Sequence, residues 1–311
     1  MKLSIVVPCF DEEENIRPFY EATSSALSGI MDRVELIFID DGSRDGTVAE
    51  LKKLGEEVDT HIRVVSFSRN FGKEAGLLAG LREAGGDYVA IIDADLQQDP
   101  AYIAEMLQIL SENPEYDCVA AYQKVRDEGK VLSFFKGGFY RLINRLTDIE
   151  FYRAASDFRV LSRKMVDAIL SLPERCRFSK GIFSWVGFKT YYMPYEVKKR
   201  ERGKSKWHFW SLASYALDGI VAFSDKPLIL SSVMGLILFL ISVIMMLVVV
   251  IKTILFGDPV AGFPTLCSLI LLLSGIQLFC MGILGEYFAK MYEEVKDRPL
   301  YVVKEEYDNQ K

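Results

Sequence analysis

Two stretches near the end of the 311-residue chain limit what it can fold into. Leu228 to Ile251 contains no charged residue, and neither does Pro264 to Leu284. Both exceed the roughly 18 apolar residues at which a membrane-crossing helix becomes the first reading. A core helix of a soluble protein has the same composition, but two such stretches joined by a short loop do not suit one soluble core. They predict a helical hairpin in a bilayer. Its orientation follows from the basic residues. "KKRERGKSKW" (Lys198 to Trp207) and Lys226 precede the first span, and Lys290, Lys296 and Arg298 follow the second. The loop Lys252 to Phe263 holds one lysine and one aspartate. The positive-inside rule then places both termini, and the long N-terminal portion, in the cytoplasm. "MKLSIVVP" has too short an apolar run for a secretory signal peptide, so the hairpin is the predicted membrane attachment.

The N-terminal portion alternates strand and helix signals. Strand-like runs are Leu3 to Pro8, Val34 to Asp40, Ile62 to Ser68, Tyr88 to Asp93 and Asp117 to Tyr122. Helical stretches fall between them at Glu13 to Ala26, Thr47 to Leu54, Lys73 to Ala84 and Pro100 to Ser111. Near-continuous apolar strands indicate a sheet covered on both faces. Alternation with helices predicts an α/β domain with a mostly parallel, Rossmann-like doubly wound sheet. "FFKGGFYRLINRLT" reads as a basic, aromatic amphipathic helix, and Ala155 to Leu170 as a loop entering another helix. Ser205 to Phe223, with Trp207, Trp210 and Tyr215, reads as an amphipathic helix lying in the membrane interface. The predicted division is therefore a cytoplasmic α/β domain over 1–204, an interfacial helix over 205–226, two spans within 227–285 (228–251 and 264–284) and a cytoplasmic tail over 286–311. Ser231, Gly235, Ser268, Gly275 and Gly282 set small residues at helical-face spacings in the spans, which permits close packing within the hairpin or between subunits and predicts a homo-oligomer.

In a doubly wound sheet the ligand lies beyond the carboxyl ends of the strands. Here the first strand is followed by Asp11, Glu12, Glu13 and Glu14, the second ends in Asp40 and Asp41, and the fourth in Asp93 and Asp95. Carboxylates gathered at one edge repel unless a cation or a donor-rich ligand absorbs the charge. Asp93-x-Asp95 can direct two hard oxygen donors at Mg²⁺ or Mn²⁺ bridging to substrate phosphates. Asp99-Pro100 reads instead as a helix start, and Asp45 or Thr47 as an N-cap. Gln97 and Gln98 have no evident core role and are within reach of a sugar or phosphate. Neither a P-loop nor a GxGxxG is present, so a nucleotide would be held by carboxylates and a metal. Two histidines argue against a His-rich zinc site, five cysteines without CxxC spacing suit free thiols, and a net charge of −6 gives no sign of nucleic acid.

"VPCFDEEENI", "DDGSRDGT", "RNFGKEAG", "DADLQQDP", "SDFRVLSR" and "RGKSKW" occur in that order over about residues 3 to 210. Together they resemble a GT-A-fold family 2 glycosyltransferase of the polyprenyl-phosphate subgroup, similar to dolichyl-phosphate mannose synthases and bactoprenol glucosyl transferases. The two-span tail is similar to the bacterial membrane-anchored branch, which implies a bacterial inner membrane. One departure is Asp11, where the family usually has asparagine.

The resemblance implies roles residue by residue. Pro8, Glu12 and Asp40 would line the nucleoside pocket with Asp41 nearby, and Lys73 belongs to the same nucleotide-binding set. Asp93 and Asp95 would hold the metal against the diphosphate, with Gln97 close by. Asp157 would sit at the reacting sugar, and Asp157 and Asp95 are the catalytic candidates. Arg200, Arg202, Lys204 and Lys206 would close over phosphates of donor or acceptor. The implied reaction is inverting transfer of a hexose from a nucleoside diphosphate sugar, UDP-glucose favoured, to polyprenyl phosphate. A processive polysaccharide synthase would bring a QxxRW-type element and more spans, neither of which is found. A non-catalytic scaffold on the same fold would have no use for carboxylates at every matched position.

Overall fold

The computed structural model describes residues 1–123, 155–196, 221–256 and 262–310. In chain order the elements are β1 (Leu3–Cys9), α1 (Ile16–Ala26), β2 (Val34–Asp40), α2 (Thr47–Glu57), β3 (His61–Phe67), α3 (Lys73–Glu83), β4 (Tyr88–Ile91), α4 (Ala101–Glu112) and β5 (Cys118–Gln123). Then follow β6 (Ala155–Ser162), α5 (Arg163–Leu170), α6 (Ser179–Trp185), β7 (Thr190–Tyr195), α7 (Lys226–Phe256), α8 (Phe263–Lys296) and β8 (Val303–Asp308). The eight strands form one mixed sheet in the order β7-β5-β6-β4-β1-β2-β3-β8. Pairings β1–β2, β1–β4, β2–β3 and β5–β7 are parallel, while β4–β6, β5–β6 and β3–β8 are antiparallel.

The apolar strands are explained by what covers them. All seven residues of β2 are buried. Strand alternation sends Leu36 and Phe38 to one face, against Phe19 of α1, Leu51 of α2 and Met106 of α4. It sends Ile37 and Ile39 to the other, into the cluster that holds Leu77 and Leu81 of α3 and extends to Met165 of α5 and Phe183 of α6. Burial on both faces makes a polar residue in mid-strand costly, so polar groups collect at the strand ends. Gly80 lets α3 approach β1, since a Cβ there would lie 2.1 Å from Val6 Cγ1.

Two elements differ from the sequence expectation. Ala155 to Ser162, read as a loop, is β6. Its charged residues Asp157 and Arg159 hid a strand whose alternate residues Phe158 and Val160 are fully buried. The segment 286–311 is not a separate tail either. α8 continues to Lys296, because the charges after Leu284 mark only where its apolar zone ends. The chain then returns to the sheet as β8, pairing antiparallel with β3 from Val64↔Tyr307 to Phe67↔Val303. Lys52–Glu305 at 2.5 Å, His61–Asp308 at 3.0 Å, and Asn309 Nδ2 donating to Thr60 O at 2.8 Å fix it there.

α7 and α8 are both long and apolar enough to cross a membrane, and their apolar windows are almost wholly exposed. A 34-residue α8 measures about 51 Å, more than a hydrocarbon core of about 30 Å. Its charged end therefore stands clear of the apolar zone and reaches the α/β domain. The predicted interfacial helix over 205–226 falls mostly outside the described residues, as does the amphipathic helix expected within 134–147.

Candidate active site

Three loops meet at the carboxyl edge of the sheet. After β1, Asp11 has φ +53°, a left-handed conformation tolerated best by glycine, asparagine and aspartate. Its N–H donates to Ser43 Oγ and its Oδ1 accepts from Arg44 N–H, both at 2.9 Å. Aspartate thus meets a backbone requirement that asparagine would meet equally. Glu12 N–H donates to Thr47 Oγ1 at 2.9 Å, and its carboxylate accepts from Asn15. Pro8, half-buried in β1, faces Gly76 of α3. Asp45 Oδ1 accepts from Thr47 N–H at 3.1 Å just ahead of α2, but the N-cap expected at Asp45 or Thr47 is Gly46, which has no side chain to cap with.

Asp40 and Asp41 divide their work. Asp40 is only 1% exposed, with Oδ2 accepting from Ser66 Oγ at 2.7 Å and Oδ1 from Ser43 N–H at 3.1 Å. A cavity of about 410 Å³ opens beside it, lined by Ser43, Asp45, Lys52, Ser66, Lys304 and Glu305 among others. Lys304 and Glu305 come from β8 and were invisible to sequence reasoning. Asp41 accepts from Phe71 N–H at 2.6 Å and Gly72 N–H at 2.9 Å, so it holds the "RNFG" loop; burial raises its pKa against those two bonds. Gly42 (φ +72°) completes the junction, since a Cβ there would lie 2.5 Å from the Arg69 carbonyl carbon.

The centre of the site is an ion cluster. The β4–β6 register ends at Ile91↔Arg159, and continuing it by two residues sets Asp93 opposite Asp157. Lys73, the first residue of α3, bridges them, with Nζ 2.8 Å from Asp93 Oδ1 and 2.9 Å from Asp157 Oδ2. Burial disfavours the charged lysine, but the two carboxylates outweigh it and raise its pKa. Burial likewise opposes the Asp157 carboxylate, yet Lys73, then Lys180 and Arg159, pull its pKa far below the ordinary range. Asp157 is thus an anion locked in place. Arg159 is 4% exposed, lies 3.8 Å from the Phe183 ring centroid and donates to the carbonyls of Ser156 and Asp157.

Asp95 stands just beyond, its Oδ1 accepting from Gln97 N–H at 3.1 Å in a turn where Leu96 has φ +57°. The glutamines differ. Gln98 is buried, and its Oε1 accepts from Asp93 N–H at 3.1 Å. It fixes Asp93, whereas Gln97 is half-buried and meets Asp95 through its backbone N–H. Asp99 Oδ1 accepts from Ala101 N–H at 3.0 Å and starts α4, as expected. Arg200, Arg202, Lys204 and Lys206 lie outside the described residues. Gln98, Arg159, Lys180 and Lys304 are the additions, and only Gln98 carried a signal, as a glutamine without a core role.

Asp93 and Asp95 suit a hard divalent cation, which accepts one or two carboxylates and takes its other ligands from water and substrate phosphates. Among the described residues no three histidine, cysteine, aspartate or glutamate side chains converge into a closed cage. An open two-carboxylate site fits a metal that arrives with its phosphates.

The glycosyl transferase family 2 model matches residues 4–170, which spans the whole carboxylate edge from β1 to α5. The chain belongs to glycosyl transferase family 2. This glycosyltransferase is 40% identical to an uncharacterised glycosyltransferase of Synechocystis sp. over 97% of this chain and 95% of the relative. It is 40% identical to the bactoprenol glucosyl transferase of Shigella phage SfII over 98% of each. Its fold is similar to the crystal structure of glucosyl-3-phosphoglycerate synthase from Mycobacterium tuberculosis in complex with Mn²⁺, UDP and phosphoglyceric acid. That likeness has a TM-score of 0.50 and 21% identity, over 71% of this chain and 76% of the other. The GT-A fold expected from the motifs is therefore the fold observed.

Proposed function

We propose that this glycosyltransferase moves a hexosyl group from a nucleoside diphosphate sugar, UDP-glucose in the first instance, onto the phosphate of a polyprenyl phosphate, with inversion. One observation carries the reading: the carboxylate cluster and two membrane-length helices belong to one body, because β8 follows α8 back into the catalytic sheet. A polyprenyl tail stays in the bilayer, so its phosphate must be met at the headgroup surface by a domain held there. Similarity over 98% of its length to a bactoprenol glucosyl transferase, apolar helices included, supports the acceptor class.

The same closure bears on topology. β8 shares a sheet with β1, so the chain leaves and regains one side, as two crossings require. With the basic flanks, this supports a cytoplasmic catalytic domain and cytoplasmic termini. Assembly into an oligomer remains part of the proposal. Gly235, Gly275 and Gly282 each have open space where a Cβ would stand, so their close-packing faces are turned away from the hairpin partner.

In the reaction, an acceptor phosphate oxygen attacks the anomeric carbon, and the bond to the diphosphate breaks with its electron pair leaving on the nucleotide. Asp93 and Asp95 would hold Mg²⁺ or Mn²⁺, which supplies Lewis-acid neutralisation of the leaving diphosphate. Asp40 and the neighbouring cavity receive the nucleoside, with Pro8 and Glu12 on the β1 side. Asp157 does not need to accept a proton. A phosphate monoester has its second pKa at about 6 and is already a dianion in large part at neutral pH. A carboxylate held far below its usual pKa is a poor base but a durable negative charge. It stabilises the positive charge that develops on the sugar ring, and Lys73 keeps it aligned. The direct test is incubation of the purified protein with nucleotide sugars and undecaprenyl phosphate. A sugar–phosphate–lipid product supports the reading, and release of free sugar alone refutes it.

A further inference from the structure

The segment from Arg175 to Lys180 leads into α6 and is bonded to α8 at one end and to the first turn of α3 at the other. At its start, Glu294 of α8 accepts from Arg175 N–H at 2.8 Å and Cys176 N–H at 2.8 Å, both through Oε1. The Arg175 guanidinium closes over the end of the same helix, on Asp297 and the Arg298 carbonyl. At its far end, Ser179 donates its N–H to Glu74 Oε2 at 2.9 Å and its hydroxyl to the same oxygen. Glu74 follows Lys73 directly in the first turn of α3, and Lys180 follows Ser179 in the first turn of α6. Lys73 lies 2.9 Å from Asp157, and the positive charge of Lys180 also favours that carboxylate.

We infer that Glu74 and Glu294 are positioning residues that fix the Arg175–Lys180 segment from its two ends, and so set Lys180 beside Asp157. The inference rests on the reading of Asp157 as the charge at the reacting sugar. Neither glutamate belongs to the carboxylate edge that the motifs mark. Glu74 is a half-buried carboxyl whose pKa is raised by desolvation, against its bonds to Ser179. Its carboxylate takes both the N–H and the hydroxyl of Ser179, the first residue of α6, and so holds that helix start. Glu294 lies at the end of the 34-residue α8 and gives the segment a hydrogen-bonded link to that helix. Where the helix stands in the membrane thereby bears on where Lys180 stands in the site.

The test uses the full chain in detergent micelles with UDP-glucose and undecaprenyl phosphate, and UDP titration calorimetry for donor affinity. Glu74→Ala and Glu294→Ala are each expected to lower kcat at least about tenfold, since misplacement by about 1 Å can cost about 100-fold. UDP affinity should stay within about threefold, the pattern of a lost transition-state interaction. Glu74→Gln and Glu294→Gln keep an oxygen for the same N–H donors and should restore kcat to within about threefold of wild type. Lys180→Met should show the alanine-type loss, and it leaves both clamps intact should the alanine variants fold poorly. Normal kcat in Lys180→Met or in folded alanine variants overturns the inference. So does a parallel fall in UDP affinity, or damage by glutamine equal to that by alanine. Absence of lipid-linked product from the wild-type chain would instead refute the proposed reaction, so the two failures are distinguishable.

Discussion

Asp157→Asn keeps the shape of the side chain and removes its charge. In the wild type the carboxylate lies 2.9 Å from Lys73 Nζ and its side chain is 19% exposed. Removing one partner of a fully buried pair costs about 3–5 kcal/mol. Here Lys73 is 39% exposed and keeps Asp93, so solvent and the second carboxylate reduce the loss to about 1.5 kcal/mol. For a domain of this size that is a fall in Tm of about 3–6 °C. The pH dependence has a definite sign. A carboxylate with a depressed folded pKa contributes fully above its unfolded value of about 3.9, and loses the contribution only as pH falls through the folded pKa. The Tm gap between wild type and variant is therefore flat from about pH 8 to about pH 5 and narrows only in strong acid. Catalysis responds more sharply. Loss of one preorganised charge at the reacting centre lowers kcat by about 100-fold or more. UDP affinity, measured by calorimetry, stays near the wild-type value. The acid limb of the kcat–pH profile also persists in the variant, because it belongs to the acceptor phosphate. Two results refute this reasoning: a matching fall in UDP affinity, or an acid limb present in the wild type and absent from Asp157→Asn.

Three further outcomes follow from particular contacts. Gly42→Ala forces a Cβ to within 2.5 Å of the Arg69 backbone at φ +72°, and should cost more than about 2 kcal/mol and weaken UDP binding; thermal melts and calorimetry check both. Gln98→Ala removes the acceptor of the Asp93 N–H and should lower activity and raise the Mn²⁺ concentration for half-maximal rate, while Gln97→Ala does so less; the reverse order would return the role to Gln97. Truncation after Val302 strips β8 from β3, with Lys52–Glu305, His61–Asp308 and the Asn309 bonds, each worth about 1 kcal/mol net. It should lower Tm by more than about 6 °C and promote aggregation through the bared β3 edge, read by light scattering.

How far the molecule could be read from its sequence depends on where each element buries its apolar side. β1 to β5 and α1 to α4 were legible because strands covered on both faces are unbroken apolar runs set off by helices of clear period. Asp93 and Asp95 were legible because a buried strand can carry charge only at its end. β6 escaped because Asp157 and Arg159 break the apolar run of a strand that is buried on both faces, their charges being met inside the fold by Lys73 and by the Phe183 ring and two carbonyls. β8 escaped because "VKEEYD" has the composition of a solvated tail, and its pairing depends on partners more than two hundred positions earlier. The charge argument was also incomplete from sequence alone. The carboxylate edge does not wait wholly for an external cation: Lys73 sits on Asp93 and Asp157, Ser43 and Ser66 satisfy Asp40, and the Phe71 and Gly72 amides satisfy Asp41. Lys73 entered through resemblance, and nothing in the spacing pointed to a lysine between two aspartates on different strands.

The most direct measurement is transfer of radiolabelled sugar from UDP-glucose to undecaprenyl phosphate by the purified full chain in Mn²⁺, with lipid and water phases separated. The expected result is label in the lipid phase as a single sugar on phosphate, lost on chelation of the metal and in Asp157→Asn. No lipid-phase label with UDP-glucose or any other nucleoside diphosphate hexose, from protein that binds UDP, would contradict the proposed transfer.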